Sequence, residues 1–388
     1  MVKLTINGRQ VEVLDGMTIL QAAEKIGISI PTFCHDEYGR LDKNDPECNV
    51  FGDCKICSCE VKGKSDLVLA CSEKATDGME VLTESEKVIK ARKEILKKMV
   101  SIHPMDCVNC VKLGSCKLQK YCELYGVDKE NETPHIVRNK DMSNRFYYQE
   151  LEKCIRCGKC VKTCKHLVGV NALTMLTDGG IGYVMPNIPD SVYREKLGIK
   201  GDKEITVQMK LKAYNDGIVG MADTGCVSCG NCVSVCPVGA LMPKSENEFR
   251  DWETKKVVTT CTYCGVGCQI EYSVRDGKIV DAKPANGPSN EGLLCVKGKF
   301  AYDFVNHKDR LKHPMIRRNG KHSPLEQVSW EEALDFAANK IKEVKEKYGG
   351  NAIAGFSSAR TINEDNYLFQ KFLRAAVGTN NVDHCARL

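Results

Sequence analysis

Twenty-three of the 388 residues are cysteine, and their grouping constrains this chain more than any hydrophobic pattern does. The N-terminus, "MVKLTINGRQVEVLDG", carries neither an apolar export segment nor a twin-arginine signal. The expected compartment is therefore the cytoplasm, where reducing conditions disfavour disulfides. Thiols in such a setting are expected to be metal ligands. Other function classes recede. The net charge of +5 is mild for this length, and Lys and Arg alternate with Asp and Glu, so no nucleic-acid footprint stands out. No apolar run is long enough to span a bilayer. There is no Walker loop, Ser-His-Asp arrangement or dinucleotide fingerprint, so no nicotinamide or flavin site is assigned to this chain.

Between the cysteines, the texture changes along the chain. Val2, Leu4 and Ile6 alternate with polar residues, Asn7-Gly8 supplies a hairpin turn, and Val11 and Val13 resume the alternation. Thr18 caps a short helix with Ile19, Leu20, Ala23 and Ile26 on its apolar face. Together these read as a small β-grasp unit. From Ser85 to Ile102 the period is helical, with Val88, Ala91, Ile95, Met99 and Ile102 inward and Lys, Arg and Glu outward. After Trp252, turns at Asp276-Gly277 and Asn286-Gly287 indicate a small β-rich unit. From Ser329, "SWEEALDFAANKIKEVKEKYGG" reads as a capped helix, "NAIAGFSS" as a buried strand and "NEDNYLFQKFLRAAVG" as a further helix, the opening of an α/β domain.

The strongest signal is an internal repeat. "CIRCGKCVKTCK" begins at Cys154 and "CVSCGNCVSVCP" at Cys226, with 61 residues between Cys164 and Cys226. This is the two-cluster ferredoxin run, in which the fourth cysteine of each half ligates the other half's cluster. Cys154, Cys157, Cys160 and Cys236 are thus expected on one [4Fe–4S] cluster, and Cys226, Cys229, Cys232 and Cys164 on a second. Lys165, not proline, follows Cys164. Zinc knuckles are the competing reading of such short spacings.

Three further sets stand apart. Cys34, Cys54, Cys57 and Cys71 follow the β-grasp pattern and resemble the [2Fe–2S] domain of complex I's large peripheral subunit and of iron-only hydrogenases. An insertion, "GRLDKNDPECNVF", brings Cys48, which is the alternative to Cys34 as a ligand. Cys59 is expected to face away from its neighbours and pack as a thiol. His103, Cys107, Cys110 and Cys116 form H-x3-C-x2-C-x5-C, which resembles the His-ligated [4Fe–4S] site of the same families. A neutral imidazole in place of a thiolate makes such a cluster less negative and raises its potential. Cys261, Cys264, Cys268 and Cys295 resemble the N-terminal cluster domain of molybdenum or tungsten bis-pterin oxidoreductases. That resemblance implies that Lys297 lies between the cluster and a pterin; a solvated lysine is expected at Lys299 rather than Lys297. Nineteen cysteines and one histidine are thereby used, leaving Cys48, Cys59, Cys122 and Cys385.

The order of these modules resembles the catalytic alpha subunit of a cytoplasmic molybdenum/tungsten formate dehydrogenase along essentially the whole chain. Iron-only hydrogenases share the first three modules but continue differently from "CTYCGVGC…CVKGK". The resemblance implies an α+β multidomain chain: residues 1–80 a β-grasp [2Fe–2S] domain, 81–140 a helical His-ligated [4Fe–4S] domain, 141–250 a double [4Fe–4S] ferredoxin domain, 251–313 the molybdopterin-oxidoreductase [4Fe–4S] domain, and 314–388 the start of the pterin-binding α/β domain. It implies one [2Fe–2S] and four [4Fe–4S] clusters, with a Mo or W bis-pterin guanine dinucleotide in the full enzyme. The expected partners are flavin- and NAD(P)-binding diaphorase subunits, with ferredoxin or a hydrogenase as further carriers. In that family a stretch like "NNVDHCARL" directly precedes the metal-ligating cysteine or selenocysteine, so the ligand is expected just after Leu388, with a UGA codon read as stop. The competing expectation is an electron-transfer module of a complex I-like or hydrogenase-type assembly, with no formate chemistry of its own.

Overall fold

The structure, a computed structural model, describes residues 1–36, 54–128, 140–178, 181–244 and 249–385. They divide into two compact units, Met1–Lys255 and Lys256–Leu388. The insertion with Cys48, and residues 386–388, lie outside the described residues.

At the start of the first unit, β1 (Val2–Ile6) turns through Asn7 and Gly8 into β2 (Arg9–Val13), with Val2 opposite Val13. Both turn residues take positive φ, 49° and 78°, as a two-residue hairpin of this hand demands. Thr18 caps α1 (Ile19–Lys25) in a reciprocal capping box with Gln21. β3 (Ser58–Val61), β4 (Val68–Leu69) and β5 (Glu80–Leu82) complete a sheet in the order β2-β1-β5-β3-β4, with β1 and β5 parallel. Ile19, Leu20, Ala22 and Ala23 of α1 share one core with Leu4, Ile6, Val11 and Val13. This is the β-grasp arrangement that the alternation pattern predicts.

Ser85 caps α2 (Glu86–Val100). Its buried line differs from the one the apolar pattern predicts. It runs Val88, Arg92, Leu96, Val100, while Ala91, Ile95 and Met99 flank it half-buried and Ile102 is exposed. The reason is a buried guanidinium. Arg92 is fully buried; its Nε donates to Ile56 O at 3.1 Å and its Nη2 to Ser58 O at 3.0 Å. Nη1 donates to Glu84 Oε1 at 2.6 Å and to the Tyr125 hydroxyl at 2.7 Å. Tyr125 ends α3 (Lys117–Tyr125). One side chain therefore joins the loop around Cys57 to both helices. A pattern read by residue class places every arginine outward, whereas four partners make this one inward.

The ferredoxin-like segment reads β6 (Tyr147–Gln149), α4 (Lys159–Lys162), β7 (Leu173–Asp178), β8 (Ile181–Pro186), α5 (Asp190–Leu197), α6 (Val207–Asn215), α7 (Asn231–Val235) and β9 (Leu241–Pro243). β6 and β9 close it by pairing antiparallel. The 61-residue insertion builds a core of its own, in which Met185, Ile188, Tyr193, Ile205 and Tyr214 gather against Leu151. The "DGGIG" stretch joins β7 to β8, with Asp178 opposite Ile181; Gly179 and Gly180 lie outside the described residues.

In the second unit, β10 (Lys255–Thr260), β11 (Gln269–Arg275) and β12 (Lys278–Pro284) form a sheet in that order, turning between β11 and β12 at Asp276-Gly277 with φ of 51° and 74°. Gly287 serves close packing: a Cβ there would lie 2.3 Å from Gln269 Cγ. α8 (Val296–Phe300), α9 (Asp303–Asn306) and the pair β13 (Met315–Ile316) and β14 (Glu326–Gln327) follow. Ser329 caps α10 (Trp330–Tyr348), which ends at Gly349. β15 (Gly355–Ser357), α11 (Asn363–Phe372) and β16 (Val382–His384) then form a parallel strand–helix–strand unit. The "NAIAGFSS" strand is present but not buried, since Phe356 is 80% exposed. Burial belongs to a strand's neighbours, which its own sequence does not carry. Among the described residues, no helix is long and apolar enough to cross a membrane.

Removing the Arg92 guanidinium leaves the Ile56 and Ser58 carbonyls without that donor. Arg92→Met should therefore lower the unfolding free energy by about 2–4 kcal/mol, read as a lower urea midpoint at unchanged slope. Lys62→Met, which breaks the exposed 2.9 Å pair with Glu80, should cost under about 1 kcal/mol. Equal midpoints for the two variants would remove Arg92 from this role.

Candidate metal centres

In the β-grasp domain the four expected thiols form two close pairs. Cys34 Sγ lies 3.3 Å from Cys54 Sγ, and Cys57 Sγ lies 3.3 Å from Cys71 Sγ; all four are buried. Two thiolates on one tetrahedral metal with bonds near 2.3 Å stand under about 4 Å apart. Two such pairs suit the two irons of a [2Fe–2S] group, each with two cysteines. The Cys57 thiol is held below its usual range by the hydrogen bond it shares with Cys71, whereas that same bond and burial push Cys71 up. A left-handed Lys55, φ 51°, bends the chain between Cys54 and Cys57, and Ala70 N–H donates to Cys57 O at 3.1 Å. Cys59 packs into the core as a thiol, where burial pushes it up to about 12.

His103 follows the last turn of α2, its N–H 3.3 Å from Val100 O. With Cys107, Cys110 and Cys116 it lines a partly open cavity shared with Gln119, Lys153 and Gly239. Arg250 pins the rim by donating to the carbonyls of Val108, at 3.1 Å, and Cys110. Cys122, left over from the sets, is buried on α3, and burial pushes it up to about 11.

The repeat produces two cavities, and their linings cross between the halves. Cys154, Cys157 and Cys160 share one cavity with Cys236; Cys226, Cys229 and Cys232 share the other with Cys164. The backbones repeat as the sequences do. Arg156 and Ser228, at the same place in each half, take φ of 61° and 56°, and Gly158 and Gly230 take 69° and 75°. The left-handed residue turns its N–H onto the first sulfur, Arg156 N to Cys154 Sγ at 3.4 Å and Ser228 N to Cys226 Sγ at 3.3 Å. Cys164 sits in a wide turn, Thr163–Leu167, and its sulfur accepts from Ala172 N–H at 3.2 Å.

These centres adjoin one another. Val238 and Ala240 line the Cys154 cavity, and Gly239 between them lines the His103 cavity, so the turn that leads into β9 is the wall of both. Burial pushes Cys157 up to about 12, with Cys154, Cys236 and, from the β-grasp domain, Cys34 adding to it. The Cys154 cavity thus shares a wall with the His103 cavity, and Cys34 lies near enough for its charge to act on Cys157. Sequence spacing gives no sign of this adjacency.

In the second unit, Cys261, Cys264, Cys268 and Cys295 lie close enough that burial and the other three sulfurs together raise the Cys268 thiol. Cys261 N–H donates to Cys268 O at 2.8 Å, and Cys295 begins α8. Lys297 is exposed. Lys299, expected to be solvated, is instead 2% exposed: its Nζ donates to Asp281 Oδ1 at 3.1 Å and to Ala282 O. The two lysines stand two residues apart, about 200° around α8 and so on opposite faces, and that placement decides which one enters the core.

Among the described residues, no three or more His, Cys, Asp or Glu side chains converge as they would on a single ion. The [4Fe–4S] candidate sets of the first unit surround cavities instead, a spacing that fits a group of several atoms.

Comparison with known proteins agrees with this order of modules. Residues 1–86 match a 2Fe-2S iron–sulfur cluster binding domain, 92–131 the NADH-ubiquinone oxidoreductase-G iron–sulfur binding region and 150–240 a 4Fe-4S dicluster domain. Residues 254–307 match the molybdopterin oxidoreductase Fe4S4 domain and 310–388 the molybdopterin oxidoreductase domain. The chain is 35% identical to the NADPH-Fe(3+) oxidoreductase subunit alpha of Geobacter sulfurreducens and 34% identical to a G-type subunit of the NADH-quinone oxidoreductase of Rhizobium meliloti. It is 31% identical to YrhE of Bacillus subtilis, named as a proposed formate dehydrogenase. Each of these matches covers 100% of this chain and 40% of the relative, so the chain spans about two fifths of their length. In fold it is similar to a chain of an NAD+-reducing [NiFe]-hydrogenase in the H2-reduced state, with a TM-score of 0.50 and 22% identity over 63% of this chain and 88% of that one.

The leftover thiols give a test. Cys385 is exposed, and the Ser358 hydroxyl holds it below the usual thiol range. Among Cys59, Cys122 and Cys385 in the metal-free chain at pH 8, iodoacetamide should modify Cys385 well before the other two, as peptide mass spectrometry will read, because the thiolate is the reactive form. A thiol whose folded pKa is raised contributes stability that is fully present below its unfolded value near 9 and lost as pH rises through about 11. The unfolding midpoint of the metal-free chain should fall over that window, and less so in Cys122→Ala.

Proposed function

Because this chain carries the iron–sulfur electron-transfer module of a molybdopterin oxidoreductase, we propose that it passes electrons between a molybdenum or tungsten bis-pterin site oxidising formate to CO2, or the reverse, and an outside carrier bound by a partner subunit. The observation that carries this reading is the adjacency of the centres: the Cys154 cavity adjoins the His103 cavity across Val238–Ala240, and the charge of Cys34 reaches Cys157. A pterin-bound metal supplies a two-electron step, whereas iron–sulfur groups take electrons singly. The protein's part is to hold those groups in sequence.

In this reading Cys34, Cys54, Cys57 and Cys71 hold the [2Fe–2S] group. His103, Cys107, Cys110 and Cys116 hold one [4Fe–4S] group, the two crossed sets of the repeat hold two more, and Cys261, Cys264, Cys268 and Cys295 hold the fourth. Lys297, exposed on α8, faces the pterin. The buried Lys299–Asp281 pair anchors α8 to β12, which fixes the segment that carries Cys295 and Lys297. The His103 and Cys34 centres lie on the side of a diaphorase-type partner, and the compartment is the cytoplasm. Formate is supported by the kinship with YrhE.

The NADH-quinone and NADPH-Fe(3+) oxidoreductase relatives favour a second reading, an electron-transfer module of a complex with no formate chemistry. Anaerobic purification of the whole protein with its native partners separates the two. The first reading expects Mo or W with the pterin, about eighteen iron atoms in this portion, and formate-dependent reduction of a viologen dye. The same iron content and reduction by NAD(P)H, without any formate-dependent turnover, would overturn the formate reading and favour the second.

A further inference from the structure

The repeat halves resemble each other in their loops, but the Cys226 sulfur has side-chain partners from outside the repeat. Tyr147, on β6, is 1% exposed, and its hydroxyl lies 3.3 Å from Cys226 Sγ. Asn144 Nδ2 lies 3.8 Å from the same sulfur and 3.0 Å from Ser228 Oγ, and Ser228 N–H donates to that sulfur at 3.3 Å. The orientation of the Asn144 amide is settled by its other end, because Oδ1 accepts the N–H groups of Phe146, at 2.9 Å, and Tyr147, at 3.4 Å. Nδ2 is thus left to face the sulfur. A metal-bound thiolate has no proton to give, so in a loaded centre the phenol is the donor. Tyr147 also lines the cavity shared by Cys164, Cys226, Cys229 and Cys232.

We propose that Tyr147 sets the reduction potential of the cluster in that cavity, raising it through its hydrogen bond to the Cys226 sulfur. The inference rests on the ligand reading above. One-electron reduction adds a negative charge that the ligand sulfurs share. A donor already aimed at one of them stabilises the reduced form more than the oxidised form. The electron comes from the neighbouring centre, no bond breaks, and the proton stays on the phenol oxygen. Asn144 is the lesser donor, at its longer distance. The two clusters of the repeat are then made unequal by their surroundings, although their ligand loops match.

The test is a potentiometric titration of the whole, cluster-loaded protein, followed by electron paramagnetic resonance. Tyr147→Phe keeps the ring that fills the site and removes only the hydroxyl. Iron content should be unchanged, and one [4Fe–4S] signal should move to lower potential while the others stay. At a fixed solution potential the reduced-to-oxidised ratio of that cluster should fall about tenfold. Tyr147→3-fluorotyrosine, a more acidic phenol and a stronger donor, should move the same signal the other way. Potentials that stay put in both variants, or move in one direction for both, overturn the proposal. Cys226→Ala identifies the centre: loss of the signal that Tyr147→Phe moves supports the assignment. Full iron and an intact signal in Cys226→Ala would show the ligand reading itself to be wrong, and the proposal falls with it. Loss of the signal there with unmoved potentials in the tyrosine variants overturns the tuning alone.

Discussion

The crossing of Cys164 and Cys236 is the constraint on which the first unit depends. Each cysteine closes the cavity begun by the other half of the repeat, so neither half completes its set alone. The crossing brings α4 and α7 together and leaves the 61-residue insertion to fold outside, around Tyr193 and Tyr214. It also puts the segment after Cys236 in a particular place. Val238–Ala240 becomes the wall between two centres, and Lys117 N–H at the start of α3 donates to Pro237 O at 3.0 Å. A rule about four cysteines thereby reaches the His103 domain.

A second, weaker constraint is the Arg92 guanidinium. It satisfies carbonyls on either side of Cys57 and ties them to Tyr125 and Glu84. Glu84 is half exposed, so the pair is not a sealed charge. Its effect is to hold the Cys54–Cys57 loop against the helices that carry the neighbouring centre. Lys299 with Asp281 does the same on a smaller scale in the second unit, fixing α8 onto β12. In both cases a long cation enters the core because fixed oxygen acceptors await its head, and its stem fills apolar space.

Much of this is legible in the sequence. The hairpin at Asn7-Gly8, the Thr18 and Ser329 caps, the helix–strand–helix succession from Ser329 and the inward Cys59 all follow from local rules of φ, capping and alternation. The crossed grouping of the repeat follows from spacing alone. The departures have one cause. Residue class places Arg92 and Lys299 as solvated cations and Phe356 as a buried aromatic, and each is found on the other side. A side chain's exposure depends on acceptors and surfaces that come from elsewhere in the chain.

The sequence by itself determined how the cysteines fall into sets, because short cysteine spacings allow few loop geometries and the loops of the repeat recur with the same left-handed residues. The tertiary structure alone decided which sets adjoin, which sulfur receives the Tyr147 hydroxyl and which lysine enters the core. Those facts depend on contacts between segments far apart in sequence, Tyr147 with Cys226 and Gly239 with Cys110. No local pattern encodes a distance between two strands that meet only after folding.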